Sequence, residues 1–173
     1  MFQQTKYNWF AVYTRSRYEK KLLKQIQSMG LECYLPLRIQ KKQWSDRVKI
    51  VEEPLLRSYL FVKVSNKEYY QVLNAVGAVR YVTFNGKAAI IPDKQIEDLK
   101  QFLEHFNEEV IVTQENLAKG DLVKVRSGLL EGVRGEVIQF RGKDRILLRF
   151  KNLGYCIHTE IQLSDVETLS TIK

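Results

Sequence analysis

Two stretches of the chain, residues 7–13 and 54–64, carry side chains whose character alternates between neighbouring positions, a pattern typical of β-strands. In the second stretch this alternation places Tyr59 and Phe61 on one face of the strand. The opposite face is aliphatic and suits a hydrophobic core. The aromatic face is either a second layer of core, the commoner case for such residues, or a docking surface for an apolar partner.

Three other stretches, residues 18–29, 69–76 and 96–106, carry apolar side chains at helical spacing. Ser16 and Glu19 have the spacing of a capping box, so we expect the first helix to begin there. Glycines and polar residues mark the other helix boundaries. These expected boundaries are Gly30 and Gly77 as C-terminal stops, Ser65 or Asn66 before the second helix, and Pro92 and Asp93 before the third.

The segments between these elements predict further strands. Residues 31–39 return as a strand, and residues 40–49 form the basic arm of a long hairpin around Trp44. Residues 79–91 form a second hairpin, because Asn-Gly at positions 85 and 86 suits a type I′ turn. The elements follow the order β-α-β-β-α-β-β-α, which predicts an α+β fold with helices on a mainly antiparallel sheet.

The character of the chain changes after the third helix. Residues 107–117 are acidic at both ends, so we expect a linker there between an N-terminal domain, residues 1–106, and a C-terminal domain, residues 118–173. Residues 110–112 are apolar enough to pair with a sheet edge. In the C-terminal domain, the sequence predicts five short strands, the last over residues 161–166. Five short strands in so few residues indicate a small closed all-β barrel.

The 173 residues carry a net charge of +8, and the charge is unevenly distributed. Residues 1–60 contain 12 Lys and Arg against 5 Asp and Glu, which makes this third the expected surface for a polyanion. A solvated basic face without a partner is the plain alternative. Two isolated cysteines give no disulfide framework, and no apolar run is long enough to span a bilayer. We therefore expect a cytoplasmic protein with no membrane partner.

The sequence contains no recognisable catalytic constellation. His105 and His158 have no Cys or His at ligand spacing, and neither lies in a nucleophile motif. The glycines at positions 128, 132 and 135 do not form a phosphate-binding loop. Adjacent acidic residues such as Glu52 and Glu53 would face opposite sides of a strand. The sequence thus predicts neither an enzyme, nor a cofactor, nor a metal site.

The start of the C-terminal domain resembles a KOW motif. The residues that carry this resemblance are Gly120, Asp121, Val123, Val125, Gly128, Gly132, Gly135 and Val137. We expect the glycines to occupy backbone positions that a Cβ atom would block. Residues 9–14, the basic first helix, residues 54–64 and residues 79–92 resemble the NusG N-terminal domain in the same order. The chain is therefore identified as a member of the NusG family, which implies an α+β N-terminal domain with helices flanking an antiparallel sheet, followed by a small SH3-like barrel.

Within that family, the basic arm and residues 58–62 resemble the specialised paralogues RfaH and, more closely, the UpxY antiterminators. The resemblance implies an antitermination and elongation factor that binds RNA polymerase across its cleft and suppresses pausing and termination at specific long operons, such as those for surface polysaccharides. A general NusG factor linked to Rho, and a KOW-containing ribosomal or RNA-binding protein, are the alternatives. Leu56, Arg57 and Ser58 depart from the family's aromatic residue and Pro-Gly or Pro-Asn at this place.

The resemblance implies that the N-terminal domain docks on the clamp helices of the polymerase β′ subunit through an apolar pocket. By motif match, Tyr59 and Phe61 line the pocket, with Leu56 nearby. Three further aromatic residues either form the pocket wall or belong only to the core, namely Trp9, Tyr13 and Phe84. For Tyr59 and Phe61, docking and core are equally good interpretations. A second contact, with the polymerase β gate loop, falls by position on residues 68–71, whose sequence differs from that of RfaH.

Relatives such as RfaH also contact exposed non-template DNA. The candidate residues for binding DNA or nascent RNA are Arg15, Arg17, Lys20, Lys21, Lys24, Trp44 and Arg47. Trp44 either stacks on a base or pins the arm to the body of the protein, and lysines on an outer helix face are often only solvated. The KOW domain is expected to bind a second partner, and family partners include a small-subunit ribosomal protein and Rho.

Overall fold

The structure is a computed structural model that describes residues 5–44, 46–106, 109–114 and 117–169. The chain divides into two compact units. The first unit contains residues 1–37 and 52–96, and the second contains residues 38–51 and 97–173.

Three helices and fifteen strands make up the described part of the chain. The helices are α1 (Glu19–Ser28), α2 (Tyr69–Leu73) and α3 (Asp93–Phe106). The strands before α3 are β1 (Asn8–Thr14), β2 (Glu32–Tyr34), β3 (Leu37–Gln43), β4 (Val48–Pro54), β5 (Tyr59–Val64), β6 (Ala78–Tyr81), β7 (Thr83–Phe84), β8 (Lys87–Ala88) and β9 (Ile90–Ile91). The strands after α3 are β10 (Ile111–Thr113), β11 (Asp121–Val125), β12 (Arg134–Phe140), β13 (Lys143–Phe150), β14 (Tyr155–Glu160) and β15 (Val166–Thr168).

The first unit is built on an antiparallel sheet in the order β2-β5-β1-β6, with β9 also pairing with β1. Its aliphatic face carries Val12 on β1 and Leu60 on β5, which belong to one buried cluster with Leu22 and Ile26 of α1 and Val72 of α2. Burying the apolar faces of two helices on one sheet face supplies most of the stabilisation of such a unit. The predicted α+β arrangement with an antiparallel sheet is confirmed.

The predicted capping box at the start of α1 is wrong. No side chain caps the first turn of α1, and Tyr18 occupies the N-cap position. The Glu19 carboxylate instead accepts a hydrogen bond of 2.8 Å from the Ser58 backbone N–H, 39 residues further along the chain. A long-range backbone donor therefore takes the place that Ser16 has in a local capping box.

The strand predicted over residues 54–64 is shorter than expected. Its first part is divided between the end of β4 and a turn, and β5 begins only at Tyr59. Ser58 has φ 63°, in the left-handed region, which no strand residue can adopt. The Glu19 bond to its N–H holds this turn in place.

Both predicted hairpins are present. β3 and β4 form a separate two-stranded sheet, as expected for the basic arm. In the second hairpin, β6 and β9 pair with β1, while β7 and β8 pair with each other across Asn85 and Gly86. These two turn residues have φ 50° and 75°, as a type I′ turn requires.

The second helix is shorter than predicted, and its predicted cap is wrong, because Glu68 occupies the N-cap position and no side chain caps the first turn. The Ser65 hydroxyl donates to the Glu68 carboxylate, which also accepts a hydrogen bond of 3.0 Å from the Ser65 N–H. The regular helix ends at Leu73, and Val76 is exposed although the pattern predicted a core position. α3 has its predicted start at Asp93, and its buried stripe includes Phe102, which the spacing did not predict.

The strands after α3 form one antiparallel sheet in the order β10-β14-β13-β12-β11-β15. β10 comes from the segment expected to be a linker, and it pairs with β14 through residues 111–113. The final predicted strand is wrong at its start, because residues 163–165 form a single 3₁₀ turn and β15 begins at Val166. The division into units passes through α3 and the β3–β4 hairpin, so the domain limits 1–106 and 118–173 stay a prediction.

Candidate functional site

The antiparallel register of the first unit gathers aromatic side chains on the sheet face opposite α1 and α2. Tyr13 lies opposite Tyr59, and Phe61 lies opposite Tyr34 on its other side. Trp9 shares this face because it alternates with Phe10 along β1. We call Trp9, Tyr13, Tyr34, Tyr59 and Phe61 the aromatic face.

The rings of the aromatic face contact one another. The Tyr13 and Tyr59 ring centroids are 4.6 Å apart, and the stacked rings of Tyr34 and Phe61 are 6.4 Å apart. Trp9 is 3% exposed and Phe61 0% exposed. Burial also raises the pKa of the Tyr34 hydroxyl well above its ordinary value. The predicted docking residues of β1 and β5 thus lie together, and most of their surface is hidden from solvent in this structure.

The other two predicted docking residues lie elsewhere. Leu56 is buried in the turn before β5. Phe84 lies on the separate β7–β8 sheet, where it is 61% exposed. The structure therefore groups Tyr59 and Phe61 with Trp9 and Tyr13, and it places Phe84 on a different element.

Two cations border the aromatic face. The Lys63 ammonium lies 3.0 Å from an Asp93 carboxylate oxygen and 5.8 Å from the centre of the Trp9 ring. The Arg80 guanidinium lies 5.2 Å from the centre of the Tyr13 ring. The sequence pattern does not reveal Lys63 and Arg80, because only the pairing of β1 with β5 and β6 brings them to these rings.

The loop between β1 and α1 is held at both sides by backbone hydrogen bonds. The Thr14 N–H donates to the Ser58 carbonyl over 2.9 Å, and the Arg15 N–H donates to the Gly77 carbonyl over 2.8 Å. Gly77 must be glycine, since a Cβ atom there would lie 2.7 Å from the Tyr18 ring. The loop that carries Arg15 is therefore positioned by two other turns.

Four arginines lie on this loop or on the segments that pair with it and with the end of β1. Arg15 and Arg17 belong to the loop itself, Arg57 precedes the Ser58 turn, and Arg80 lies on β6 opposite Tyr13. All four are exposed. We call Arg15, Arg17, Arg57 and Arg80 the arginine cluster. The sequence indicated the first two, but Arg57 and Arg80 come from distant segments that the hydrogen bonds of the loop bring near.

The predicted lysines of α1 have different environments. Lys20 donates a 2.8 Å hydrogen bond to the Glu52 carbonyl, so it ties α1 to β4. The Lys21 ammonium lies 5.0 Å from the centre of the Tyr18 ring. Lys24 is exposed. Residues 68–71, expected at the gate loop, include the exposed Tyr70, while the Glu68 carboxylate already accepts hydrogen bonds from Ser65.

Trp44 and Arg47 lie together at the end of the β3–β4 hairpin. The Trp44 N–H donates to the Arg47 carbonyl over 2.8 Å and closes the turn. Trp44 is 58% exposed, so its indole is not packed into the body of the protein. Its stacking on a base therefore stays a prediction.

The KOW-like residues form β11, the following loop and the start of β12. Gly120 and Gly135 lie where a Cβ atom would come within 2.0 Å of the Val137 carbonyl oxygen and 2.8 Å of the Leu147 carbonyl oxygen, respectively. These close approaches confirm the expectation for both positions. For Gly128 and Gly132 it is wrong, because a Cβ atom would meet open space there, and their φ values of 84° and 85° favour glycine instead. Val123 and Val125 point into the barrel core, whereas Asp121 is exposed.

An ion pair between Glu136 and Arg149 holds the backbone that leads into the barrel. The Arg149 guanidinium makes two hydrogen bonds of 2.9 Å to the Glu136 carboxylate and donates to the carbonyls of Leu117 and Ala118 over 3.1 Å each. Glu136 also accepts from the Gly120 N–H over 3.2 Å. Burial raises the pKa of Glu136, but these hydrogen bonds outweigh burial and hold the pKa below its ordinary value.

The loop between β11 and β12 is fixed from α3. The Gln101 side-chain amide donates to the carbonyls of Leu129 and Glu131 over 3.1 and 3.0 Å. A cavity of about 570 Å³ lies beside this loop, with Phe106 and Leu130 among its apolar lining residues. Leu129 itself is exposed and offers an apolar side chain at the mouth of the barrel.

Among the described residues, no group of three or more His, Cys, Asp and Glu side chains is arranged to hold a metal ion. His158 is buried, with its Nδ1 atom 3.4 Å from an Arg145 guanidinium nitrogen. Of the helices in the described ranges, none is both long and apolar enough to cross a bilayer.

Comparison with known proteins gives a consistent result. The family model described as NusG, transcription termination factor nusG, matches residues 7–100. The transcription termination/antitermination proteins NusG of Streptococcus pyogenes serotype M3 (strain ATCC BAA-595 / MGAS315) and serotype M1 are each 22% identical to the chain over 172 residues. Each of these alignments covers 93% of this chain and 96% of the relative.

Among solved structures, the chain resembles NusG of Thermotoga maritima, from a structure titled for its domain interaction. The TM-score is 0.50 at 21% identity, and the alignment covers 95% of this chain and 98% of that chain. At this identity the likeness concerns the fold. It agrees with an α+β domain followed by an all-β barrel.

Proposed function

The chain belongs to the NusG family of transcription termination and antitermination factors, and from that premise we propose that it binds RNA polymerase across the cleft and suppresses pausing and termination. A protein that binds the closed polymerase more tightly than the paused or open form shifts the population towards elongation without any bond chemistry. The family is one of transcription factors and not of enzymes. The observation that carries the proposal is the aromatic face on β1 and β5.

The aromatic face is the proposed contact with the clamp helices of the polymerase β′ subunit. Aromatic anchors often dominate the energy of a protein interface, and Tyr59 and Phe61 lie at the centre of this face. Because Trp9, Tyr59 and Phe61 are buried in this structure, docking through them requires a change of conformation that exposes them. Lys63 and Arg80 at the border would then orient the contact.

The arginine cluster is the proposed contact with nucleic acid beside the polymerase. Four exposed arginines, two on the loop, one before the Ser58 turn and one on β6, suit the phosphates of a strand, and an arginine can also read a guanine edge. Non-template DNA or nascent RNA is the proposed ligand. Lys24 would add to the same potential, while Lys20 serves to hold β4.

We assign the barrel, proposed as residues 118–173 after a linker of residues 107–117, to a second partner such as a small-subunit ribosomal protein or Rho. The exposed Leu129 and the cavity beside it support this assignment. Action at specific long operons, including surface-polysaccharide genes, rests on the resemblance of the basic arm and β5 to UpxY antiterminators. A general NusG factor would act equally on every template.

Single-round transcription through a terminator tests the proposal. We expect the protein to increase read-through by the cognate polymerase, and the double substitution Tyr59→Ala with Phe61→Ala to remove this effect. Loss of two aromatic anchors should weaken polymerase binding by roughly 30-fold or more. Replacing Arg15 and Arg17 by alanine should reduce recruitment in a salt-dependent way without affecting folding, since both are exposed.

Leu22→Ala is the matched control, because it removes a buried side chain from the helix-side core and leaves the aromatic face intact. It should lower stability by about 2–5 kcal/mol and keep antitermination at a temperature where both variants are folded. Equal loss of read-through in the control and in the aromatic variant would contradict docking through this face. No effect of the wild-type protein on templates with its native leader would contradict the function as a whole.

A further inference from the structure

The β3–β4 hairpin has two faces of different chemistry, and its register shows which residues share each face. One hydrogen bond joins the Trp44 N–H to the Arg47 carbonyl at the turn, and another joins the Leu55 N–H to the Pro36 carbonyl at the base. In each bond, the two residues lie the same number of positions from the centre of the turn, and β3 and β4 contain seven residues each. The strands therefore pair without a bulge.

In this register, the side chains at the tip divide into a face with three cations and one tryptophan and a face of mixed polarity. Lys42 lies opposite Lys49 on the same face as Trp44 and Arg47, because side chains two residues apart share a face. We call these four residues the tip face. The other face of the tip carries Gln43, Lys41, Val48 and Ile50.

The tip face is accessible to a large partner. Trp44 is 58% exposed, whereas Trp9, the other tryptophan of the chain, is 3% exposed. The Arg47 side chain is 75% exposed, and Lys49 is exposed as well. Within residues 40–50, four cations outnumber one acidic residue, Asp46, so this stretch has a net charge of +3.

We propose that the tip face binds an unpaired nucleic-acid strand, with one base stacked on the Trp44 indole and the neighbouring phosphates held by Lys42, Arg47 and Lys49. This inference deepens the proposed function, since it assigns a strand-binding role to a hairpin distinct from the arginine cluster. Aromatic rings bordered by cations are the usual platform for single strands, because every base has a face to stack and every nucleotide has a phosphate.

The spacing of the tip face fits this ligand. Residues two apart along a strand are separated by about 7 Å, and paired strands by about 5 Å, so the three cations surround the indole within the reach of long side chains. That extent matches about two or three nucleotides. A duplex hides its base faces by internal stacking and would leave Trp44 without a partner.

Direct binding of the full-length protein to short fluorescein-labelled oligonucleotides, without polymerase, tests the inference. We expect tighter binding to single-stranded DNA or RNA than to the blunt duplex of the same sequence. Trp44→Ala should weaken single-strand binding by about 5- to 150-fold, and Trp44→Phe should restore most of it. Quenching of the exposed tryptophan fluorescence on binding should be absent in Trp44→Phe.

Removal of the cations gives an independent readout. Neutralising one phosphate contact on a single strand lowers the slope of log affinity against log salt by about 0.7, so Arg47→Ala and Lys49→Ala should each reduce the slope by that amount. Ile50→Ala is the matched control on the opposite face, and it should leave both affinity and slope unchanged.

Unchanged affinity in Trp44→Ala would overturn the inference, and so would preference for the duplex or an equal loss in Ile50→Ala. Because this assay contains no polymerase, its failure is distinguishable from failure of the proposed function. Read-through that persists while oligonucleotide binding is insensitive to Trp44 would leave the polymerase role intact and remove the hairpin from it.

Discussion

At the scale of single residues, Glu19 connects the two loops on which the candidate surfaces depend. Its buried carboxylate accepts from the Ser58 N–H, and the Ser58 carbonyl in turn accepts from the Thr14 N–H. The turn before β5 and the end of β1 are thereby fixed to each other. This link places Arg57 near the loop that carries Arg15 and Arg17.

Glu19→Ala should lower the free energy of unfolding by about 1–3 kcal/mol, because the part-buried Ser58 N–H would lose its acceptor. Glu19→Gln should cost much less, since the amide oxygen can accept the same hydrogen bond. Urea unfolding of the two variants and of Lys24→Ala, an exposed control on α1, gives the measurement. Equal losses of stability in the alanine and glutamine variants would contradict this role of Glu19 as the acceptor for the Ser58 N–H.

At the scale of elements, the Glu136–Arg149 pair joins β12 and β13 to the backbone that enters the barrel. Both side chains are largely buried, so either one left alone would be an unpaired charge at low dielectric. The pair also fixes the ends of the KOW-like signature, because the Gly120 N–H donates to Glu136.

Stability of the barrel should depend on pH through Glu136. Its pKa is lower in the folded state, so ionisation stabilises the fold above the ordinary glutamate pKa, and this contribution is lost as the pH falls through the lowered value. At neutral pH, Glu136→Gln should therefore melt at a lower temperature than wild type, and the difference should shrink below about pH 4. A constant difference between pH 7 and pH 3 would contradict this mechanism.

The elements that could be predicted from the sequence are those governed by neighbours along the chain. The Asn85-Gly86 turn, the start of α3 at Asp93 and the shared face of Tyr59 and Phe61 all follow from local spacing. The start of β5 did not follow, since a residue 39 positions away determines the Ser58 turn.

The candidate surfaces show the same limit. Tyr34, Arg57 and Arg80 join them only through strand register and loop contacts, which no spacing in the sequence reveals. Alternation along one strand predicts which of its residues share a face, but the neighbours of that face come from other strands.

At the scale of the whole molecule, the boundary between the two predicted domains is the feature that sequence and structure describe differently. The linker prediction, residues 107–117, includes β10, which adds a strand to the barrel sheet beside β14. Val110, just before β10, is fully buried, and the Leu117 carbonyl is held by Arg149. The backbone between α3 and β11 therefore belongs in large part to the second unit.

Two fragments should separate these descriptions. A fragment of residues 118–173 lacks β10 and Val110, whereas a fragment of residues 109–173 retains both. Losing one fully buried valine and the pairing of a three-residue strand should make the shorter fragment less stable by about 2–4 kcal/mol. Urea unfolding of the two fragments measures this difference. Val110→Ala should lower the stability of the longer fragment and so reproduce part of the difference. Equal stability would instead support a linker that contributes nothing to the barrel, with the domain boundary where the acidic segment ends.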